Sequence, residues 1–202
     1  MALSSQTAAE LRDQWELLRT RLVDAADATL DEPSTLPGWT VRDLVAHLGL
    51  GLDLLTRCEL LGTPGPAMST APAGGRPEVL SFGHYLASYA GSAEQVSARV
   101  LRYSAEIAAN TVTAVDAVAD RALTRAETLA ESGDEALVRT DRGTILVPDF
   151  LLTRLVELVV HAYDLAPALA DPAPVDAGAR HLVAEALIRL LDERTGYRLM
   201  SQ

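Results

Sequence analysis

Within the apolar run from Phe150 to Ala166, four polar side chains recur: Arg154, Glu157, His161 and Asp164, separated by three, four and three residues. On an α-helix that spacing puts them on a single stripe. A carboxylate and an imidazole at i and i+4 stack one above the other and can hold one metal ion from one helix wall. The stripe has a second reading, a solvated face on which Arg154/Glu157 and His161/Asp164 are i,i+3 ion pairs of little energetic weight. An E-x-x-x-H pattern alone does not choose between the two.

His47 is the candidate third donor. It lies on a predicted helix with Leu44, Leu48, Gly51, Leu52 and Leu55 on or near one face, so its side chain is expected among core residues. A histidine in such a place is either a structural residue bonded to a backbone carbonyl or a ligand. With Glu157 and His161 it would complete a His2Glu set, which leaves one coordination position open, as catalytic metal sites do. Asp43, one turn before His47, and Asp164, three residues after His161, stand where a carboxylate can take a ring N–H and fix a tautomer. Each also has a plainer role open to it, Asp43 as a helix cap and Asp164 as a surface charge.

The elements that must position these residues are helical. Apolar residues make up 49% of the 202-residue chain and aromatics only 4%, so the core is built from Ala, Leu and Val, which favours closely packed helices over sheets. Leu11, Trp15, Leu18, Leu22 and Ala26 predict a helix over 5–29. Thr40 and Asp43 form a capping-box pattern that opens a second helix reaching Leu61. Helical patterns follow over 78–89 and 92–130, the latter opened by Ser92 with Gln95. A Gly/Pro-rich stretch, 62–77, precedes them and is read as a lid or a disordered segment. Residues 136–147 predict a β-hairpin around Asp141-Arg142-Gly143. Pro148 and Asp149 open the helix that carries the polar stripe, which ends near Ala170. A last helix spans 176–194, stopped by Gly196, with His181 near its start and no ligand assigned to it at i+4. No internal repeat or second core is evident, and 1–202 is read as one helical domain.

Composition narrows the function. All 17 basic residues are arginine, so a phosphate loop that requires lysine is excluded. A net charge of −11 argues against nucleic acid and anionic membrane as partners. The polar N-terminus and the lack of an 18-residue apolar run point to a soluble, cytoplasmic protein. Cys58 is the single cysteine; it has no internal disulfide partner and is read as a small core residue.

Two blocks then come together. Pro37-Gly38-Trp39-Thr40-Val41-Arg42-Asp43-Leu44-Val45-Ala46-His47-Leu48 and Glu157-Leu158-Val159-Val160-His161-Ala162-Tyr163-Asp164-Leu165 resemble the metal-binding domain of the mycothiol-dependent maleylpyruvate isomerase family, part of the DinB-like superfamily. The resemblance extends over nearly the whole chain. It implies an all-α, DinB-like four-helix bundle with additional short helices and a small β-hairpin. It also implies that His47, Glu157 and His161 bind a divalent metal, Zn2+ by default with Ni2+ or another divalent ion compatible, and that mycothiol is the thiol co-substrate. Metal coordination would deliver the thiol as thiolate to a small electrophile.

The isomerase carries an additional C-terminal domain with a catalytic arginine, and this chain stops at Gln202. The expectation is therefore a thiol S-transferase, such as a detoxifying conjugation enzyme, with isomerisation as the alternative. Trp39, Arg42 and Arg154 are the candidate substrate or thiol contacts; Arg139 and Arg142 are also placed to meet an anion, and no catalytic residue is assigned. A different class is represented by residues 40–60, which resemble a helix-turn-helix and would suit a regulator or a non-catalytic binding module. The bundle's Ala-rich faces leave a homodimer possible.

Overall fold

The computed structural model describes residues 2–63, 78–169 and 173–195. The first amphipathic repeat folds as α1 (Leu3–Asp24), burying Leu11, Trp15, Leu18 and Leu22. It ends five residues earlier than the apolar spacing predicts. No residue between Leu22 and Leu30 is buried, so nothing packs against a further turn. Ala25 and Ala26 are extended, and the chain re-enters a short helix, α2 (Asp27–Leu30).

The capping box at Thr40 is present. The Asp43 amide donates to Thr40 Oγ1 at 3.2 Å and the Thr40 amide donates to Asp43 Oδ2 at 2.9 Å, opening α3 (Val41–Arg57). This helix runs unbroken through Gly49, so 40–60 is not a helix-turn-helix. It stops short of Leu61 because Glu59–Gly62 becomes strand β1. After β2 (Val79–Leu80), Ser81 caps a one-and-a-half-turn helix, α4 (Phe82–Ala87), where a helix from 78 to 89 was expected.

The single helix predicted over 92–130 is two, α5 (Ala93–Glu106) and α6 (Thr111–Ala130), separated by a 3-10 turn at Ala108–Asn110. Asn110 leaves helical geometry at φ −153°, ψ 39°. The Arg42 guanidinium braces the break, donating to the Ala108 carbonyl at 2.7 Å and to Thr111 Oγ1 at 2.8 Å. The Ser92 cap does not form; its hydroxyl donates to the Tyr89 carbonyl at 2.8 Å and closes the preceding turn.

The predicted hairpin is β3 (Leu137–Thr140) with β4 (Gly143–Leu146), leading directly into α7 (Val147–Leu169) and then α8 (Ala177–Thr195). It is the centre of a four-stranded sheet, order β1-β3-β4-β2, in which β2 lies parallel to β4 and the other pairs are antiparallel. Gly143 has φ +134°, where an L side chain would be strained.

Helices α1, α6, α3 and α7 form a closed ring of neighbours, the expected four-helix bundle, with α5 against α3 and α8 against α7 and α1. A Cβ at Gly49 would sit 3.1 Å from the Val115 side chain, so glycine lets α3 and α6 pack close together. Cys58 is buried in the core, as expected. Among the described residues no helix is long and apolar enough to cross a membrane. Most of the 62–77 stretch and the Gly196 stop lie outside the described residues.

Candidate metal centre

Because α3 and α7 lie side by side, His47 comes to face the polar stripe of α7. His47 Nε2 lies 3.3 Å from Glu157 Oε2, and His161 Nε2 lies 3.3 Å from the same oxygen. The two imidazole rings meet edge to face, centroids 4.9 Å apart. One donor atom from each of the three residues falls within 4.8 Å of the others. Zinc bonds of about 2.0–2.1 Å in tetrahedral geometry put donor atoms about 3.3 Å apart, and 3.3 Å is long for an N–H···O hydrogen bond. The two separations to Glu157 therefore match those around a divalent ion, and three side-chain donors would leave one position of a tetrahedral site to a fourth ligand. The three side chains are 19% (His47), 28% (Glu157) and 14% (His161) exposed, so a small molecule can reach them.

Electrostatics favour the ligand-competent form of the carboxylate. Burial pushes the Glu157 carboxyl up, but the polar contacts of the His161 and His47 rings, with the nearby charges of Arg154 and His47, outweigh it and hold the group well below the usual carboxylate range. Burial pulls His161 down, yet its bonds to Glu157 and Asp164 raise it overall. Asp164 is the partner that the spacing suggested: His161 Nδ1–H donates to its Oδ2 at 2.8 Å, and Thr35 Oγ1 donates to its Oδ1 at 3.0 Å. That bond fixes the tautomer which leaves Nε2 facing Glu157.

The other candidates separate. Asp43 is occupied as a cap, bonded to Thr40 and to Ser104, and these bonds hold its carboxyl low against the opposing effect of burial. It braces the start of α3 and is not seen orienting the His47 ring. Arg42 is bound to Asp31, Ala108 and Thr111, holding α2, α3 and α6 together. Arg139 pairs with Glu59 on the sheet. His181 has an i+4 partner after all, Glu185 at 3.4 Å, but both are exposed. Trp39 does adjoin the centre, its ring centroid 5.2 Å from that of His47 and its indole N–H donating to Ser97 Oγ at 3.0 Å.

A cavity of about 100 Å³ opens beside the donors, with His47, Glu157 and Arg154 on one wall and Leu50, Leu54, Val96 and Val100 supplying its apolar part. Tyr89, Arg99 and Arg142 also line it, with Gly51 and Asp141. Sequence reading missed Tyr89 and Arg99 altogether. Tyr89 sits in a turn that had been read as helix, and no periodic signal marks it.

The mycothiol-dependent maleylpyruvate isomerase whose crystal structure is known has a similar fold, with a TM-score of 0.52 and 19% identity over 93% of this chain and 68% of that one. No curated protein sequence matches the chain. A family model described as the mycothiol maleylpyruvate isomerase N-terminal domain matches residues 11–166, most of the chain, and the chain belongs to that family.

Proposed function

We propose that this chain is a metal-dependent enzyme of thiol chemistry, in which His47, Glu157 and His161 hold one divalent ion, zinc by default and nickel as the other candidate, and mycothiol adds to a small electrophile. The observation that carries this reading is the convergence of three donor atoms from α3 and α7 at the edge of a cavity. A divalent ion bound there would lower the pKa of a coordinating thiol and present it as thiolate at neutral pH.

The chain's own residues do the rest. Asp164 keeps the proton of His161 on Nδ1, so that Nε2 stays available as a donor. Glu157 remains ionised, and Leu50, Leu54, Val96 and Val100 give the electrophile an apolar wall beside the donors. Addition forms one S–C bond and moves an electron pair of the electrophile's double bond onto its activating group. Retention of the adduct and protonation gives S-transfer. Rotation about the new single bond followed by loss of thiolate gives cis/trans isomerisation, the activity named for the isomerase of similar fold.

The test combines metal analysis of untagged protein with mycothiol consumption against a panel of electrophiles, with and without a chelator. About one ion per chain and chelator-sensitive turnover are expected. Metal-free protein as isolated, or turnover indifferent to the chelator, would overturn the proposal.

A further inference from the structure

We propose that the groove between α5 and α6, floored by α3, binds the phosphate group of a small molecule through Arg102 and Arg121, with Arg99 at its border. The site lies outside the donor set of His47, Glu157 and His161 and stands independently of the thiol-addition reading.

Both α5 and α6 pack near α3, and residues of all three helices line a groove of about 450 Å³. Each helix turns one stripe toward it. Arg99, Arg102, Tyr103 and Glu106 recur along α5 at helical spacing, Asp53 and Arg57 are one turn apart on α3, and Arg121 comes from α6. Four of the 17 arginines therefore line one groove in a chain of net charge −11.

These arginines are partnered differently from others on the surface. Arg12, Arg19, Arg42 and Arg139 each have a carboxylate within ion-pair distance. In the groove only Arg57 does; it holds Asp53, which also accepts from Thr56 Oγ1 at 2.9 Å. Arg121 donates to the Ala117 carbonyl of its own helix at 2.7 Å. Among the described residues Arg99, Arg102 and the Tyr103 hydroxyl have no hydrogen-bond or ion-pair partner. Glu106, one turn beyond Arg102, is the remaining lining carboxylate, and none of the ion pairs among the described residues includes it. Three guanidinium groups and a phenol thus keep N–H and O–H donors for a ligand, against one unpaired carboxylate.

That donor set suits phosphate. One planar guanidinium covers a carboxylate, whereas a phosphate offers oxygens in several directions and takes guanidinium groups arriving from more than one helix. A concave wall lined mainly by one sign of charge focuses the field, so the groove attracts an anion although the protein as a whole is acidic. The overall charge still repels a polyanion, which confines the ligand to a small molecule. The volume falls within the range of about 300–1,000 Å³ usual for small-molecule sites, which leaves room for an organic body beside the phosphate.

Calorimetric titration of the full chain with glucose 6-phosphate, inorganic phosphate and glucose tests this, on protein chelated and then dialysed so that phosphate cannot bind a metal ion. The ester should bind at one site per chain, more tightly than inorganic phosphate, and weaken as salt rises, whereas glucose should not bind. Arg102→Gln and Arg121→Gln change exposed side chains, and each should lower the affinity about tenfold. Glu106→Gln should raise it about two- to fivefold. Arg139→Gln, on the sheet, should leave it unchanged, and so should His47→Ala, which separates this site from the donor set. Arg99 lines both the groove and the cavity beside His47 and is left intact. Inorganic phosphate binding as tightly as the ester would make the free ion the ligand and uphold the role of the arginines. No saturable binding of either phosphate would overturn the proposal. So would an affinity indifferent to Arg102→Gln, Arg121→Gln and Glu106→Gln, or a loss in Arg139→Gln equal to that in Arg102→Gln.

Discussion

Glu157 stays ionised despite its burial, and it does so because two imidazoles face one of its oxygens. The same contacts raise His161, so protons and a metal compete for His161 Nε2. Metal affinity should therefore keep rising with pH above the ordinary imidazole value of 6.5, a trend that competition titrations with a chromogenic chelator between pH 6 and 8.5 would measure. Asp164→Asn keeps the shape but weakens the acceptor on Nδ1, and metal affinity should fall by about 10–100-fold. The same titration on Asp43→Asn should show little change, because Asp43 serves Thr40 and Ser104. At this scale the sequence was informative where one helix sets the spacing, as for Glu157, His161 and Asp164. It was ambiguous for Asp43, since a residue one turn before His47 can turn toward the ring or toward the helix start, and the capping box decided. Arg42 was read as a substrate contact; in the fold its partners come from α2, the 3-10 turn and α6, which local spacing does not reveal.

Helix ends depend on distant partners as much as on local signals. Helix α1 has no cap of its own at Ala2; instead Asp134, from the loop before β3, accepts the amides of Leu3 at 2.9 Å and Ser4 at 2.8 Å. Those bonds, led by the ones from Ser4, hold its carboxyl below the ordinary 3.8. A depressed folded-state value means that the stabilisation is complete above the unfolded-state value and fades as pH falls through the folded one. Asp134→Ala should cost about 1 kcal/mol near neutrality, and the gap in melting temperature from wild type should close on acidification toward pH 3. A gap unchanged across that range would mean that the carboxylate's charge contributes nothing. The long helices were legible because their apolar residues recur every three or four positions. The break before α6 was not, because the repeat carries on across Ala108–Asn110 and the bracing group is Arg42, from another helix. Strands β1 and β2 were hidden for a related reason: each is at most four residues long and pairs with residues more than sixty positions away.

For the molecule as a whole, the proposed metal centre would join two helices that also pack directly against each other. Helices α3 and α7 each bury a long apolar face within one continuous core, so apolar packing is expected to hold the two helices together. A divalent ion that binds only the folded chain adds stability in proportion to its saturation, about 2.7 kcal/mol at a free concentration one hundred times Kd. For a chain of this size about 1 kcal/mol moves the melting temperature by roughly 2–4 °C, so saturation should raise it by roughly 5–11 °C. Chelation should reverse the rise while the far-ultraviolet dichroism at 25 °C stays the same. His47→Ala should sharply reduce the rise, because it removes the donor from α3 and leaves Glu157 and His161 to hold the ion more weakly from α7 alone. A variant that melts like wild type with and without metal, or a wild type that loses its helicity on chelation, would show that the ion is held elsewhere or that it builds the bundle itself.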